Sequence, residues 1–151
     1  MLVFLDFDGV LHPFPCEEHQ LFCQVPVLEQ FFNQPEYAAW EIVVSSTWRE
    51  RYSLSQLQAF FSPQFAKRII GVTPVIHSHL AGEREREILQ WLQDNGRQDE
   101  VWIALDDLQV FFAYHLNKVF LCDGSTGLTE ADFPVLTWMI ERNQQQVTKQ
   151  S

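Results

Sequence analysis

The chain has 151 residues, of which 46% are hydrophobic and 20% charged; this length is typical of one folded domain, and the composition excludes a disordered chain. No apolar run approaches the ~18 residues that a membrane span requires, and three cysteines without a CxxC pair favour a reducing compartment, so we expect a cytoplasmic protein without a membrane segment. A formal net charge of -10 argues against binding to bulk nucleic acid, although residues 49–86 hold six basic residues against three acidic ones and favour a small anionic ligand.

The first half of the chain predicts three strands with helices between them. Residues 2–7 are a continuous apolar run that predicts a buried strand, and a helix follows from Pro26, a residue that suits the first helical turn. Residues 41–45 predict the second strand. A capping box that begins at Ser53 starts the next helix, over the sequence LSQLQAFF, and residues 68–74 predict a short third strand.

The second half of the chain predicts two more strands and two more helices. Residues 83–95 place their apolar side chains on one helical face. The apolar runs 101–107 and 118–123 predict the fourth and fifth strands. A weaker capping box at Thr129 begins a last helix, which we expect to end near Asn143.

Strands that alternate with helices predict an α/β fold with a three-layer, doubly wound, mostly parallel sheet. Strands that are apolar on both faces fit a sheet with helices on both sides. We expect one domain over residues 1–145 and a polar, frayed tail over residues 146–151. In such sheets ligands bind at the carboxyl ends of the strands, so the residues at those ends are candidates for function.

Pairs of acidic residues follow the first and the fourth predicted strands. Asp6 and Asp8 precede Gly9, and Asp106 and Asp107 end the sequence VWIALDD. If these two strands are neighbours, four carboxylates share one crevice, and like charges at that distance repel unless a cation neutralises them. Oxygen ligands of this kind select Mg²⁺ before Zn²⁺. The alternative is that the two pairs lie on distant strands and that the first is an ordinary Asp-Gly turn.

Hydroxyl residues and a basic residue follow the second predicted strand, in the order Ser45, Ser46, Thr47, Trp48 and Arg49. Hydroxyl groups and backbone N–H groups bind phosphate oxygens, and an arginine binds them with two parallel hydrogen bonds. The alternative interpretation is a polar loop that begins a helix, for which Ser and Thr are favoured.

The order of these pieces resembles the haloacid dehalogenase-like (HAD) superfamily of phosphohydrolases. The sequences LDFDGVL, VVSST, an arginine of EREREI, and ALDD are similar to its four motifs and span residues 2–107. More narrowly, STWR, the EREREILQWL helix, LDD and the later GLT look similar to the HAD domains of bacterial RNA-repair proteins. The second aspartate of the first motif favours phosphate chemistry over dehalogenation, because the dehalogenating branch lacks it.

Carried over to this sequence, the resemblance implies a phosphatase that transfers the phosphoryl group to Asp6 as an aspartyl-phosphate. Asp8 is implied to protonate the leaving oxygen and then to activate the water, and proximity to other acids is expected to raise the pKa of Asp8. Mg²⁺ is implied to bind Asp6, the backbone carbonyl of Asp8 and Asp107, with Asp106 either a further ligand or a partner of the ligands.

The resemblance also implies which residues bind the phosphoryl oxygens. Ser45 is the preferred hydroxyl, and Ser46 is the alternative if the strand ends one residue later. The third motif of the superfamily is usually a lysine. No lysine lies between Lys67 and Lys118, so an arginine must take its place. Arg84 is preferred over Arg86, although both lie in a run of alternating charge that also fits a solvated helix face.

The spacing of the motifs leaves no room for a cap domain. The intervals Asp8–Ser45 and Ser45–Arg84 must each hold a helix and a strand of the core, so we expect an open site. An open site fits a bulky phosphoester, such as a nucleic-acid end or a phosphorylated protein, whereas a cap would seal a small metabolite from water. The acidic net charge opposes a polynucleotide, and the two observations leave the substrate open.

Two other functions use the same residues. A non-catalytic module would bind a phosphate or a partner protein at this site, but such a module has no need of four clustered acids. A phosphotransferase would pass the phosphoryl group to an acceptor alcohol in place of water.

Two further groups of residues invite a functional interpretation. His12, Cys16, His19 and Cys23 are possible Zn²⁺ ligands, but their spacing matches no standard zinc-finger pattern, and His12 is close enough to the first motif to contact substrate instead. We expect Trp48 to wedge a helix against the sheet rather than to stack on a base.

Overall fold

The computed structural model describes residues 1–77 and 80–150, and within them the side chains of all residues except Gln150. The described residues form five strands: β1 (Leu2–Leu5), β2 (Glu41–Val44), β3 (Ile69–Val72), β4 (Trp102–Asp106) and β5 (Val119–Leu121). They also form five α-helices: α1 (Val25–Phe32), α2 (Leu54–Gln58), α3 (Pro63–Ala66), α4 (Glu83–Asp94) and α5 (Phe133–Gln150).

The five strands form one parallel sheet in the order β3-β2-β1-β4-β5. In its register Leu5 pairs with Val44 on one side and with Leu105 on the other. The next residue of each of these three strands is polar: Asp6, Ser45 and Asp106. Three neighbouring strands therefore place their polar residues at one level at the carboxyl edge of the sheet. Of the two arrangements that the sequence left open, strands one and four are neighbours.

Both faces of the sheet are covered, which explains why the strands are apolar without alternation. One face packs against α1, α2, α3 and α5, and the other packs against α4. Leu5 and Val44 belong to the first core, Phe4 and Val43 to the second, and all four side chains are fully buried. Each such side chain stabilises the fold by about 1.5–3 kcal/mol. This is the predicted three-layer α/β architecture, and no separate cap domain lies within residues 1–77 and 80–150.

Two helices differ from their predicted extents. The predicted helix LSQLQAFF ends at Gln58, and a separate helix, α3, begins at Pro63. Proline suits this position because the first turn of a helix does not need its N–H, and the Ser62 hydroxyl caps the helix by accepting a hydrogen bond from Phe65 N–H.

The last helix continues to Gln150, beyond the predicted end near Asn143. The Asn143 amide is buried in this helix and donates to the Met139 carbonyl, so it does not end the helix, and the following glutamines are good helix formers. Of the predicted tail, Ser151 lies outside the described residues. None of the helices within the described part of the chain is both long enough and apolar enough to cross a membrane.

Candidate active site

A buried ion-pair network lies at the carboxyl edge of the sheet. Arg84, in the first turn of α4, donates from Nη1 to Asp106 Oδ2 at 2.7 Å and lies 3.2 Å from Asp6 Oδ2. Its guanidinium also stacks on the ring of Phe111, 4.5 Å from the centroid. All three charged side chains are buried. Helix α4 thus places one cation between the carboxylate that follows β1 and the carboxylate that ends β4.

Burial is the largest influence on Asp6 and raises the pKa of its carboxyl well above the ordinary value, although Arg84 opposes the shift. Burial also disfavours the charged form of Arg84, but Asp6 and Asp106 outweigh it and raise the pKa of the guanidinium. Arg84 therefore stays charged and supplies the positive charge of the network.

Asp107 completes the acidic group. One carboxylate oxygen from each of Asp6, Asp106 and Asp107 lies within 4.8 Å of the other two. Two glycines give Asp107 its space: a Cβ added to Gly9 would clash with the Asp107 carboxylate, and one added to Gly124 would lie 3.0 Å from Asp107 Oδ2. Gly9 also has φ +76°, which favours glycine at this turn.

The donor set fits Mg²⁺. Three carboxylates lie near a single arginine. Burial and the neighbouring Asp106 raise the pKa of Asp107, as expected where negative charge exceeds the positive charge nearby. The donor atoms are oxygens, which a hard cation prefers. Within the group the acids differ in how many hydrogen bonds they accept from N–H groups. Asp106 accepts three, from Asp107 N–H and Leu108 N–H on Oδ1 and from Arg84 on Oδ2, whereas Asp6 accepts one, from Phe7 N–H, besides its ion pair with Arg84. This favours Asp106 as a partner of the ligands and leaves Asp6 and Asp107 as the carboxylates able to bind a cation.

Asp8 lies in the turn after β1 and its two oxygens have different surroundings. Oδ1 accepts hydrogen bonds from His12 Nε2 at 2.8 Å and from the Trp48 indole N–H at 2.9 Å. Within the described residues, Oδ2 has no hydrogen-bond partner. His12 is fully buried and its Nδ1 accepts from Phe22 N–H at 3.2 Å, so the proton of the ring must be on Nε2, which donates to Asp8. The arrangement fixes the carboxylate and leaves one oxygen for a reacting group.

The same contacts correct the expectation that neighbouring acids raise the pKa of Asp8. The hydrogen bond from His12 is the largest influence and lowers the pKa of Asp8, the bond from Trp48 lowers it further, and partial burial opposes them without reversing the shift. Trp48 also differs from its expected role, because its indole N–H contacts a candidate catalytic carboxylate in addition to packing against the core.

Sequence reasoning gave His12 and Trp48 no role in holding Asp8. The signal available for His12 was its position four residues after Asp8. For Trp48 the signal was its place three residues after Ser45, at the end of a neighbouring strand.

The serines after β2 occupy different positions. Ser45 is buried at the level of Asp6, and its backbone N–H donates to the Leu5 carbonyl. The Ser46 hydroxyl accepts from Trp48 N–H at 3.3 Å and caps a short 3₁₀ helix over Thr47–Glu50. Since β2 ends at Val44 and Ser46 is used as a cap, the register favours Ser45 as the residue beside Asp6. Thr47 is exposed and lines a pocket next to Asp8.

Arg49 is not placed to bind a phosphate, contrary to the sequence expectation. Its side chain is 3% exposed, and all five N–H donors are directed at protein acceptors. Nε donates to the Thr73 carbonyl, one terminal nitrogen to the carbonyls of Ser45 and Ser46, and the other to the Pro74 carbonyl and the Glu87 carboxylate. Arg49 therefore ties the loops after β2 and β3 to α4.

Arg86 also lies away from the acidic group. Its guanidinium donates to the carbonyls of Ala81 at 2.8 Å and Leu80 at 3.2 Å, in the loop before α4. Of the two arginines that the sequence left as alternatives, the structure brings Arg84 to Asp6 and Asp106.

The four possible zinc ligands are not brought together. Among the described residues, the group of three or more potential metal-ligating side chains is the one formed by Asp6, Asp106 and Asp107. His12 has both ring nitrogens occupied, by Asp8 and by Phe22 N–H. A zinc site over His12, Cys16, His19 and Cys23 is therefore not present in this arrangement.

The comparison with protein families gives a match to the HAD domain in Swiss Army Knife RNA repair proteins, over residues 2–133. Comparisons with curated proteins and with solved structures gave no match. The matched residues run from β1 to the start of α5 and include every residue of the acidic group, its arginine and the Asp8 contacts.

Proposed function

The chain belongs to the family of HAD domains in Swiss Army Knife RNA repair proteins, and we propose that it is a Mg²⁺-dependent phosphohydrolase that cleaves a phosphate monoester through an aspartyl-phosphate on Asp6. The observation that carries the proposal is the grouping of Asp6 with Arg84, Asp106 and Asp107 at the carboxyl edge of the sheet, with Asp8 close behind in the same turn.

In the first step an oxygen of Asp6 attacks phosphorus and the bond from phosphorus to the leaving oxygen breaks. Phe7 N–H donates to Asp6 Oδ1 at 2.9 Å, which orients the carboxylate. Arg84, 3.2 Å from Asp6 Oδ2, is placed to bind a phosphoryl oxygen and to balance its charge during transfer. The Ser45 hydroxyl, at the same level of the sheet, is the proposed second donor to the phosphoryl group.

Asp6 and Asp107 are the carboxylates proposed to hold Mg²⁺, with the backbone carbonyl of Asp8, while Asp106 holds Arg84 and the turn. The ion would supply positive charge where a carboxylate must approach a phosphate dianion.

Asp8 is the proposed general acid and base. In the first step its carboxyl gives a proton to the leaving oxygen; in the second its carboxylate takes a proton from the water whose oxygen attacks phosphorus and releases Asp6. The bonds from His12 and Trp48 favour the carboxylate form, which suits the second step. The bound phosphate dianion adds like charge beside Asp8 and raises its pKa toward the value that the first step needs.

A phosphorylated RNA end is the substrate that we propose first. The family name places such domains in RNA repair proteins, and no cap domain covers the site within the described residues. Since the chain has a formal net charge of -10, the proposed contact is with the terminal phosphate and its nucleotide rather than with a long polyanion.

The experiment that tests the proposal is hydrolysis of p-nitrophenyl phosphate by the purified protein, in Mg²⁺ and in EDTA, beside the Asp6→Asn variant. We expect release of phosphate in Mg²⁺ that EDTA stops and the variant lacks. Release that EDTA leaves unchanged would contradict the metal role, and release by Asp6→Asn would contradict the nucleophile. Added acceptor alcohol separates hydrolysis from phosphotransfer, because a transferase would form a new phosphoester.

A further inference from the structure

A pocket of about 570 Å³ opens beside Asp8, between the loop that follows β1 and the 3₁₀ turn that follows β2. Asp8 and His12 line it, whereas Asp6, Asp106 and Asp107 do not. Its volume is within the range of about 300–1,000 Å³ that small-molecule sites occupy. The pocket therefore adjoins the acid–base residue and lies apart from the acidic group.

The position of Asp8 determines which part of a substrate would enter this pocket. A general acid must come within hydrogen-bond distance of the leaving oxygen, about 2.6–3.2 Å. The atoms attached to that oxygen then begin next to Asp8, while the phosphorus lies toward Asp6. The space that adjoins Asp8 is thus the space for the leaving group.

Aromatic rings form part of the wall of the pocket. Trp48 and Tyr52 are stacked, with ring centroids 5.3 Å apart and 20° between their planes, and Tyr52 is 38% exposed. Phe14, which is 59% exposed, and Pro15 line the opposite loop. Exposed aromatic rings beside a stacked pair offer a face on which another flat ring can pack.

The charges of the pocket oppose an anionic leaving group. Asp8 and Glu50 carry negative charge and Arg51 carries positive charge among the lining residues. With two acids against one base, the balance of charge in the pocket is unfavourable for a further anion next to the transferred phosphate, whereas an uncharged ring meets no such penalty.

We propose that this pocket is the leaving-group subsite and that it takes a flat, uncharged ring packed against Tyr52. The inference rests on the proposed function, since it assigns Asp8 to the leaving oxygen, and it adds a substrate class, phosphate monoesters of alcohols that carry a planar ring.

The test compares benzyl phosphate with cyclohexylmethyl phosphate. Both are esters of primary alcohols, so their leaving oxygens are alike, but one ring is flat and the other is puckered and more apolar. We expect kcat/KM to favour benzyl phosphate by about threefold to tenfold, the range that one aromatic contact supplies. A ratio near one, or a preference for the cyclohexyl ester, would overturn the proposal. A pocket that selects only for apolar surface prefers the cyclohexyl ester, because its ring is the more apolar.

Variants of Tyr52 test whether its ring causes the preference for benzyl phosphate. Tyr52→Ala should bring the ratio of the two esters close to one, and Tyr52→Phe should keep it, because the ring is retained. Tyr114→Ala is the matched control: this tyrosine is 89% exposed, lies outside the pocket, and should change neither the ratio nor the activity. A ratio that persists in Tyr52→Ala would contradict the assignment.

Binding separates failure of the subsite from failure of the proposed function. Calorimetry of the two esters with Asp6→Asn protein should show tighter binding of benzyl phosphate, and 4-carboxybenzyl phosphate should bind more weakly than benzyl phosphate. If neither ester is hydrolysed but this order holds, the hydrolase proposal fails and the pocket remains a site for a flat, uncharged ring without a leaving-group role. Equal binding of the two esters, or tighter binding of the carboxylated ring, would overturn the subsite whatever the activity.

Discussion

At the scale of single residues, Asp8 shows how a carboxylate is prepared for one task. Two donors hold Oδ1, from His12 in the same loop and from Trp48 after a neighbouring strand, and Oδ2 has no partner in the part of the chain that the structure describes. His12 is itself fixed by Phe22 N–H, which determines the nitrogen that carries its proton. A reacting oxygen is therefore presented in one orientation, which general acid–base catalysis requires.

We expect removal of the His12 donor to slow the reaction of substrates with poor leaving groups. His12→Phe fills the space without a donor, while His12→Gln keeps an N–H near the position of Nε2. On an alkyl phosphate, kcat/KM should fall by about 10- to 100-fold in His12→Phe and less in His12→Gln. Removal of the bond raises the pKa of Asp8 and so favours its acid form, but we expect the lost orientation of the carboxyl to outweigh this, since general acid catalysis supplies roughly 10²–10⁴ and depends on that orientation.

The control for this prediction is p-nitrophenyl phosphate, whose leaving oxygen needs no proton. Because kcat/KM reports the steps up to release of the first product, its loss in His12→Phe should be smaller than for the alkyl ester. Equal losses on both substrates would mean that His12 only supports the fold. Circular dichroism of each variant shows whether the buried substitution is tolerated.

Arg84 and Arg86 stand two residues apart and have different surroundings. Arg84→Ala removes the guanidinium next to Asp6, so we expect kcat/KM for an aryl phosphate to fall by about 10²–10³, as for loss of one preorganised charge donor. Arg86→Ala removes contacts to the loop carbonyls of Leu80 and Ala81 and should cost less than about fivefold. The opposite order would move the phosphate-binding role to Arg86.

Single residues were also where the sequence predicted least. The family resemblance implied one site for Asp6, Asp8, Asp106 and Asp107, although the strand pattern alone left distant strands as an alternative. The structure groups Asp6, Asp106 and Asp107, whereas Asp8 lies in the turn after β1 with its own contacts. The direction of the Asp8 pKa shift was wrong, because the contacts with His12 and Trp48 depend on how two loops fold over each other. Sequence spacing carries no information on that packing.

At the scale of elements, the parallel register aligns the site. Because Leu5 pairs with both Val44 and Leu105, the residues that follow are level, and α4 packs on the face toward which Asp6 and Asp106 are directed. Arg49 then joins the loops after β2 and β3 to Glu87 in the same helix. The helix that carries Arg84 is thereby fastened to the edge of the sheet that carries Asp6.

Arg49→Met tests whether the contacts of Arg49 with the loops and with Glu87 of α4 stabilise the fold. It leaves the Glu87 carboxylate buried without its partner, which costs on the order of 3–5 kcal/mol. For a chain of this size that loss lowers Tm by roughly 10 °C. Thermal unfolding followed by circular dichroism measures it, with the exposed neighbour Arg51→Met as the control.

Two further results bear on the assignment of Arg49. The double variant Arg49→Met/Glu87→Met should recover part of the lost stability, because the unpaired charge is removed. An unchanged Tm together with a raised KM for substrate would contradict the structural role and restore the phosphate-binding role that the sequence indicated.

The elements themselves were largely predictable, and the exceptions have local causes. Continuous apolar runs marked all five strands, and the capping boxes at Ser53 and Thr129 are both formed. The sequence LSQLQAFF was taken as one helix although Ser62 and Pro63 follow it, and these two residues start a separate helix. The guanidinium of Arg49 could not be placed from sequence, because its acceptors come from loops that are distant along the chain.

At the scale of the whole molecule, charged groups are unevenly distributed. The formal net charge is -10, and three carboxylates are concentrated around one buried arginine at the edge of the sheet. Burial raises the pKa values of Asp6 and Asp107, so their ionised forms are unfavourable there without a further cation. Binding of a divalent cation and folding should therefore be linked.

We expect Mg²⁺ to raise the Tm of the protein. At a concentration of about 100 times Kd, a ligand of the folded state adds ~2.7 kcal/mol, which corresponds to a shift of roughly 5–10 °C for this chain length. Asp107→Asn should lose most of the shift, and in EDTA it should be at least as stable as the wild type, because one repelling charge is gone. Asp99→Asn, the same change at an exposed position, should keep the shift; the same loss in both variants would contradict a site at Asp107.

The central claim, that Asp6 accepts the phosphoryl group, is tested most directly by acid-quenched mass spectrometry during turnover of p-nitrophenyl phosphate in Mg²⁺. The leaving group needs no proton, so Asp8→Asn should still form the intermediate but, lacking the base for the second step, should accumulate it. The account predicts a phosphoryl group on the peptide that contains Asp6, more abundant in Asp8→Asn than in the wild type and absent in Asp6→Asn. A phosphoryl group on another residue, or release of phosphate by Asp6→Asn, would contradict it.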